Sequence, residues 1–415
     1  MGYLKFGMRF NLLLIGLTPL VDTLNGYLVM YNNSYGSSLF QAIRVFTFIS
    51  ILILLAKLDK KSFFESFIIT IFLISISLIQ LIMFSSQAYF GTSLSYAIKV
   101  SLFFSIFKLF ENTLPNDYYA KDSLASIRLF AYLMPILFII PNILGISRAT
   151  YSSIDVGNAG LFIANNSAGI ALISSTLILL LLVMDDLQRT SLDSVFLFLG
   201  FIALYQQSLR SSYVIILICM FFIINKIFFT NKLTTWNFLI ILIIGLLIFL
   251  SIIFLINNTY IIKKFFSGFT QRQQFLRNSE NNSFVEILTS GRTFYLKNIL
   301  DYWPNLPFLA WFIGVGQGYL SNVIGHISEM DIFDLYFYFG IIGLYVSYWT
   351  TFSYIKKNQF LNWKPSYKLF FLIVLGYSIL GGHVYWEVIS STSFVLLIYI
   401  ISYLQYGGSK TYNEK

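Results

Sequence analysis

Long apolar runs alternate with short polar connections along most of the chain. The rhythm breaks once, in a polar-rich stretch between Asn257 and Gly343. A helix needs about 20 apolar residues to cross a bilayer. That length predicts twelve spans, at roughly 11–29, 38–56, 63–84, 93–110, 126–144, 161–183, 192–207, 212–229, 236–256, 332–353, 367–381 and 388–404. All should be helical, since an unpaired backbone group in lipid is too costly for any open-ended alternative. Inside the interruption, Phe294, Leu296, Ile299, Leu300 and Trp303 fall at helical spacing and Pro304 follows. This predicts a short helix over Thr293 to Trp303, stopped by the proline. Its dense aromatic residues suit the face of a bilayer. The expected fold is therefore an all-α polytopic membrane protein. It forms one integral domain over 1–415, with about 12 transmembrane helices and a large extracytoplasmic loop, 257–331, that contains short helices.

Composition agrees with that class. Hydrophobic residues make up 57% of the 415 positions and charged residues 11%, against about 25% charged in a soluble domain. Cys219 is the single cysteine, which excludes an internal disulfide and a cysteine-based metal cluster. His326 and His383 lie far apart without ligand spacing, so neither a metal nor a cofactor is expected. The net charge of +9 would suit nucleic acid, but the basic residues cluster beside the spans, as membrane topology requires. With the N-terminus inside, the inner segments hold Lys5, Arg9, Lys57, Lys60, Lys61, Lys108, Lys121, Arg128, Arg189 and Lys226. They also hold Lys232, Lys356, Lys357, Lys364, Lys368, Lys410 and Lys415. The outer segments hold fewer: Arg148, Arg210, and six cations confined to the long loop. Both termini are accordingly expected in the cytoplasm and the loop outside. No small-residue cleavage site follows the first apolar run, which is expected to be a retained span.

Candidate chemistry concentrates at the outer face. A charge within a span is costly and marks a candidate by default, which singles out Arg44; a structural ion pair would explain it equally well. Arg210 sits in a tight outer connection among Ser208, Ser211 and Ser212. Its planar fork suits a carboxylate or phosphate, or anchors the chain at the headgroups. Arg292 opens the short loop helix, where free amides and the helix dipole also favour an anion; a solvated loop arginine has the same spacing. Gly314, Gly316 and Gly318 lack the context of a nucleotide fingerprint and predict a turn through which backbone approaches a ligand or a helix. Glu329, Asp331 and Asp334 crowd the start of span ten. They fit general-base work on a sugar hydroxyl, or simply a helix start that favours acids. His383 and Glu387 lie on the last outer turn, GGHVYWE, which reads first as an interfacial aromatic belt, although a histidine on a short turn could line a site.

Four stretches together resemble the O-antigen polymerase and ligase superfamily. They are PLVDTLNG from Pro19, NAGLFIANNSAG from Asn158 to Gly169, SEMDIFDLYFYFGIIGL from Ser328 to Leu344, and GGHV from Gly381. The large late loop opened by a Gly-Arg pair, and a G-x-x-G from Gly340 to Gly343, belong to the same likeness. The resemblance implies a GT-C-like architecture and a metal-independent, inverting glycosyltransferase of lipopolysaccharide or capsule biosynthesis in the bacterial inner membrane, with its loop in the periplasm. Its substrate would be an undecaprenyl-pyrophosphate-linked oligosaccharide, and its partners a chain-length regulator and a flippase. Arg210, Arg292 and Arg44 would hold the pyrophosphate. Glu329, Asp331 or His326 would act as base, with Asp334, His383 and Asn166 as further candidates. Ligases of the superfamily carry a His-Asn pair eleven residues before the first glycine of G-x-x-G; here that position is Glu329. The departure favours a polymerase. A ligase, or a flippase for the lipid-linked sugar, is the alternative.

Overall fold

The computed structural model describes residues 2–30, 34–84, 87–150, 157–185, 188–229, 292–325 and 327–410. Expected span nine (236–256), the first part of the long loop and His326 lie outside these residues. The elements are α1 (Gly2–Gly16), α2 (Thr18–Met30), α3 (Ser34–Leu58), α4 (Lys60–Phe84), α5 (Gln87–Thr113), α6 (Asp117–Ile143), α7 (Asn165–Met184), α8 (Ser191–Gln207) and α9 (Arg210–Phe229). After the loop come α10 (Arg292–Tyr302), α11 (Ala310–Ile313), α12 (Asp331–Leu344), α13 (Pro365–Gly381) and α14 (Val388–Lys410). The described residues are helical and contain no strand. Seven of the helices are long and apolar enough to cross a membrane, α12 being counted with its continuation to Lys357.

The first expected span is a bent pair: α1 and α2 meet at 48°. Leu17 still donates to the Leu13 carbonyl and Val21 to that of Leu17. Between them Pro19 has no amide to give, so the ladder opens there and the axis turns. An eighth crossing results if the pair counts as one span.

At the centre α7 and α14 pack together, each 89% buried, whereas α3 and α4 are 39% and 28% buried. Small side chains allow this. Ser167, Ala168, Gly169 and Ala171 on α7, and Ser390 to Ser393 on α14, are all buried. In lipid, helices associate through close van der Waals approach, which small residues permit.

Connections alternate between two ends of the bundle. The near end collects the turns around 58–60, 113–117, 184–191 and 357–365; the far end collects 143–165, 207–210, 292–330 and 381–388. At the far end α12 is broken. Gly340 has φ 63 and ψ −150 inside the helix, and a side chain there would meet the Phe312 carbonyl at 1.7 Å. The break leaves helix carbonyls without their usual donors, and neighbouring segments supply replacements. Val315 donates its amide to the Phe337 carbonyl at 2.7 Å. Gln80, reaching from α4, donates to the carbonyls of Tyr338 at 2.7 Å and Ile313 at 2.9 Å. Gly314 packs on this same backbone, so the glycine turn approaches a helix.

Candidate functional site

Two turns build the far-end cluster. The first runs from Ser328 to Asp331 and puts Glu329 in the left-handed region at φ 56; the second runs from Gly381 to Glu387 and puts His383 there at φ 66. They are locked together. Asp331 accepts from the amides of Val384 (2.9 Å) and Tyr385 (3.3 Å). Gly382, at φ 62, lies so close that a side chain would meet the Glu329 carbonyl at 2.3 Å. Asp334 accepts from both the amide (2.9 Å) and the hydroxyl (2.8 Å) of Ser328. Two strained residues therefore persist because buried carboxylates hold the backbone around them.

This arrangement corrects the expectation of a carboxylate cluster open at the rim. Asp331 and Asp334 are fully buried; they share a helix turn but serve different loops. Of the three acids, Glu329 alone keeps substantial side-chain exposure, 34%. Its Oε2 lies 3.3 Å from Nε of Arg292, the first residue of α10. Asn166, in the first turn of α7, reaches the same oxygen at 3.5 Å, the limit of a hydrogen bond. Glu329, Arg292 and Asn166 thus come together from three segments that are remote in sequence.

His383 completes the cluster. It is 7% exposed, and its ring lies 4.5 Å from that of Trp386. Burial pushes the imidazole down to about 4, and Glu329, Arg292 and Lys99 all act on it electrostatically. A neutral imidazole offers one donor and one acceptor. Both of its nitrogens, and the indole nitrogen of Trp386, are buried without a hydrogen-bond partner.

The turn carrying His383 is recessed. α13 has 17 residues, about 25 Å of helix, which is less than the ~30 Å hydrocarbon core. Consistent with this, Lys99 pairs with Glu387 at 2.9 Å although Lys99 stands more than three turns below the start of α5, about 18 Å along the axis. Residues Gly381 to Trp386 are all buried, so they form no surface belt of aromatics.

Of the remaining candidates, Arg44 acts electrostatically on Glu387 of the His383 turn. Arg44 pairs with Asp22 at 2.7 Å, in a shallow crevice lined by α1, α2, α3, α5 and Val388 of α14. That is the structural ion pair already allowed for it. Arg210 opens α9 at the far end; its side chain is outside the described residues, as is all of His326. Sequence reasoning missed Gln80 and the Lys99–Glu387 pair, although a glutamine and a lysine inside apolar runs were visible signals. It also missed the contact of Phe84 with Tyr319, whose ring centroids lie 4.2 Å apart.

Among the described residues, the fold and cluster define an all-helical bundle with helices long and apolar enough to cross a membrane and a polar site gathered at one end. No protein-family model, curated protein or solved structure matches the chain.

Proposed function

We propose that the protein is a polysaccharide polymerase, transferring a growing glycan from undecaprenyl pyrophosphate to the sugar of a second lipid-linked repeat unit. The pairing of Arg292 with Glu329 beside Asn166 and His383 carries this reading. It unites a fixed cationic fork and the most exposed carboxylate of the described cluster at a single end of an apolar bundle. On this reading the far end faces the periplasm, both termini are cytoplasmic, and the twelve-span count holds for the whole chain in a bacterial inner membrane.

The acceptor hydroxyl oxygen attacks the anomeric carbon as the carbon–oxygen bond to the diphosphate breaks, with inversion. The hydroxyl proton passes to Glu329 and the bonding electron pair leaves with the lipid diphosphate. Arg292, with Arg210, stabilises the charge that develops there. A diphosphate competes with Glu329 for the Arg292 guanidinium, so donor binding frees the carboxylate when the base is needed. A placed base contributes about 10²–10⁴ in rate, and one fixed donor to the leaving group about 10²–10³. The lipid diphosphate already activates the sugar, so no nucleotide is required. A flippase supplies the lipid-linked unit, and a chain-length regulator sets when extension stops.

The test is the surface polysaccharide of cells producing Glu329→Gln or Arg292→Ala protein at normal membrane levels. The expected result is repeat units without the long-chain ladder. A normal ladder from both variants overturns the reading, and loss of every surface sugar points to a flippase.

A further inference from the structure

The cluster contains one group that neither the fold nor the transfer step above uses. His383 places two ring nitrogens in a nearly water-free position without a protein partner. Buried polar atoms are nearly always hydrogen-bonded, and an unpaired one costs about 1–3 kcal/mol. The backbone adds to that cost, because a non-glycine residue at φ 66 sits in a sparsely populated region. The protein nevertheless fixes this residue firmly. Asp331 binds the two amides that follow it, Ser390 donates to its carbonyl, and Trp386 packs against its ring. A side chain held so tightly, with its hydrogen-bonding capacity unspent and Glu329 and Arg292 acting on it, is preorganised for a ligand.

The charges around it indicate which ligand. Arg292 on α10 and Glu329 on the first turn act on His383 electrostatically. Lys99 acts on it from α5 and is paired with Glu387. Cations for a diphosphate are thus present in other residues, whereas a neutral imidazole supplies one N–H and one lone pair. That combination matches a hydroxyl group, which both donates and accepts. We infer that His383 binds and orients the acceptor saccharide, gripping an uncharged sugar hydroxyl next to Glu329 so that the neighbouring hydroxyl meets the base. This rests on the transferase reading and assigns the acceptor subsite within it. His383 is a positioning residue on this account, and the proton still passes to Glu329.

Full-length protein in lipid nanodiscs, supplied with a defined lipid-linked oligosaccharide donor and a soluble oligosaccharide acceptor, separates the outcomes. His383→Gly removes the ring and suits the left-handed backbone, so folding is kept. His383→Asn also tolerates that backbone and restores one donor and one acceptor. The expected result for His383→Gly is a rise of about tenfold or more in the acceptor KM, from two lost hydrogen bonds, with the donor KM unchanged. His383→Asn should recover most of the loss and follow the wild-type pH profile between about pH 5 and 8. Unchanged acceptor KM in His383→Gly overturns the inference, as does a lost acid limb in His383→Asn, which would make the imidazole the base. If wild-type protein forms no polymer from these substrates, the transferase reading itself fails.

Discussion

Both ends of the bundle hold ion pairs, Arg292–Glu329 and Lys99–Glu387 at the far end, but they differ in how completely their buried carboxylates are satisfied. At the near end cations and acids meet in pairs that join helices. Arg9 pairs with Asp122 (3.1 Å), and Lys108 with Glu65 (2.6 Å) and Glu111 (3.3 Å). Lys357 reaches the same Glu111 (2.7 Å). Asp193, fully buried, takes Arg128 at 3.1 Å and the Tyr132 hydroxyl at 2.5 Å, and closes the capping box of α8 with Thr190. At the far end, Asp331 and Asp334 bind backbone and each leaves an oxygen unbonded. His383 and Trp386 leave ring nitrogens in the same condition. A satisfied network stabilises the fold, whereas unspent hydrogen-bonding capacity in a rigid setting is where ligand chemistry is expected.

The contrast can be broken by substitutions that ought to separate rate from stability. The largest effect belongs to Glu329→Gln, which should lower turnover by about 10²–10⁴ while the thermal midpoint in detergent stays near wild type. A large fall in midpoint with normal turnover would make Glu329 a near-end type of residue. Next comes Arg128→Met, which leaves the Asp193 carboxylate buried and unpaired, at a cost of about 3–5 kcal/mol. Denaturant unfolding should register that loss, and the folded fraction should keep its specific activity. Asp331→Ala bridges the two behaviours. Freeing two buried amides costs about 1–3 kcal/mol each, and the loosened His383 turn should weaken acceptor use as well.

A pH series sharpens the comparison further. His383 is buried neutral, held at about 4 against an ordinary 6.5. The unfolded chain therefore binds the extra proton, and stability should fall as pH drops from 6.5 towards 4. His383→Asn should lose this part of the slope; an unaltered slope would show that the imidazole is charged or exposed. The smallest effect is expected from Lys357→Ala. Its side chain is 68% exposed, so no more than about 1 kcal/mol should be lost in the same unfolding assay.

Much of the scaffold was legible because lipid demands continuous apolar length. The crossings near 38–56, 63–84 and 388–404 lie within observed helices for that reason. The loop helix was legible too: expected over Thr293 to Trp303, it runs from Arg292 to Tyr302 and passes at Trp303 into a 3₁₀ turn containing Pro304. The site was legible only as a set of residues. Arg292 and Glu329 were singled out, but their pairing, and the meeting of either with Asn166, depends on how separate helices pack. Lys99 and Glu387 lie 288 positions apart, and no local pattern joins them. Asp331 and Asp334 misled because a three-residue spacing says that two acids share a helix face, not that water reaches that face.

The glycine break at Gly340 bears on how the chain is assembled. A hydrophobic segment whose Phe337 and Tyr338 carbonyls lack intrahelical donors is a poor solitary passenger in lipid. Its chaperones are internal: Gln80, synthesised long before it, and Val315 just ahead. Both donors precede the segment in the chain, Gln80 by 258 positions, so the opened turn can be closed as soon as Tyr338 is made and meets α4.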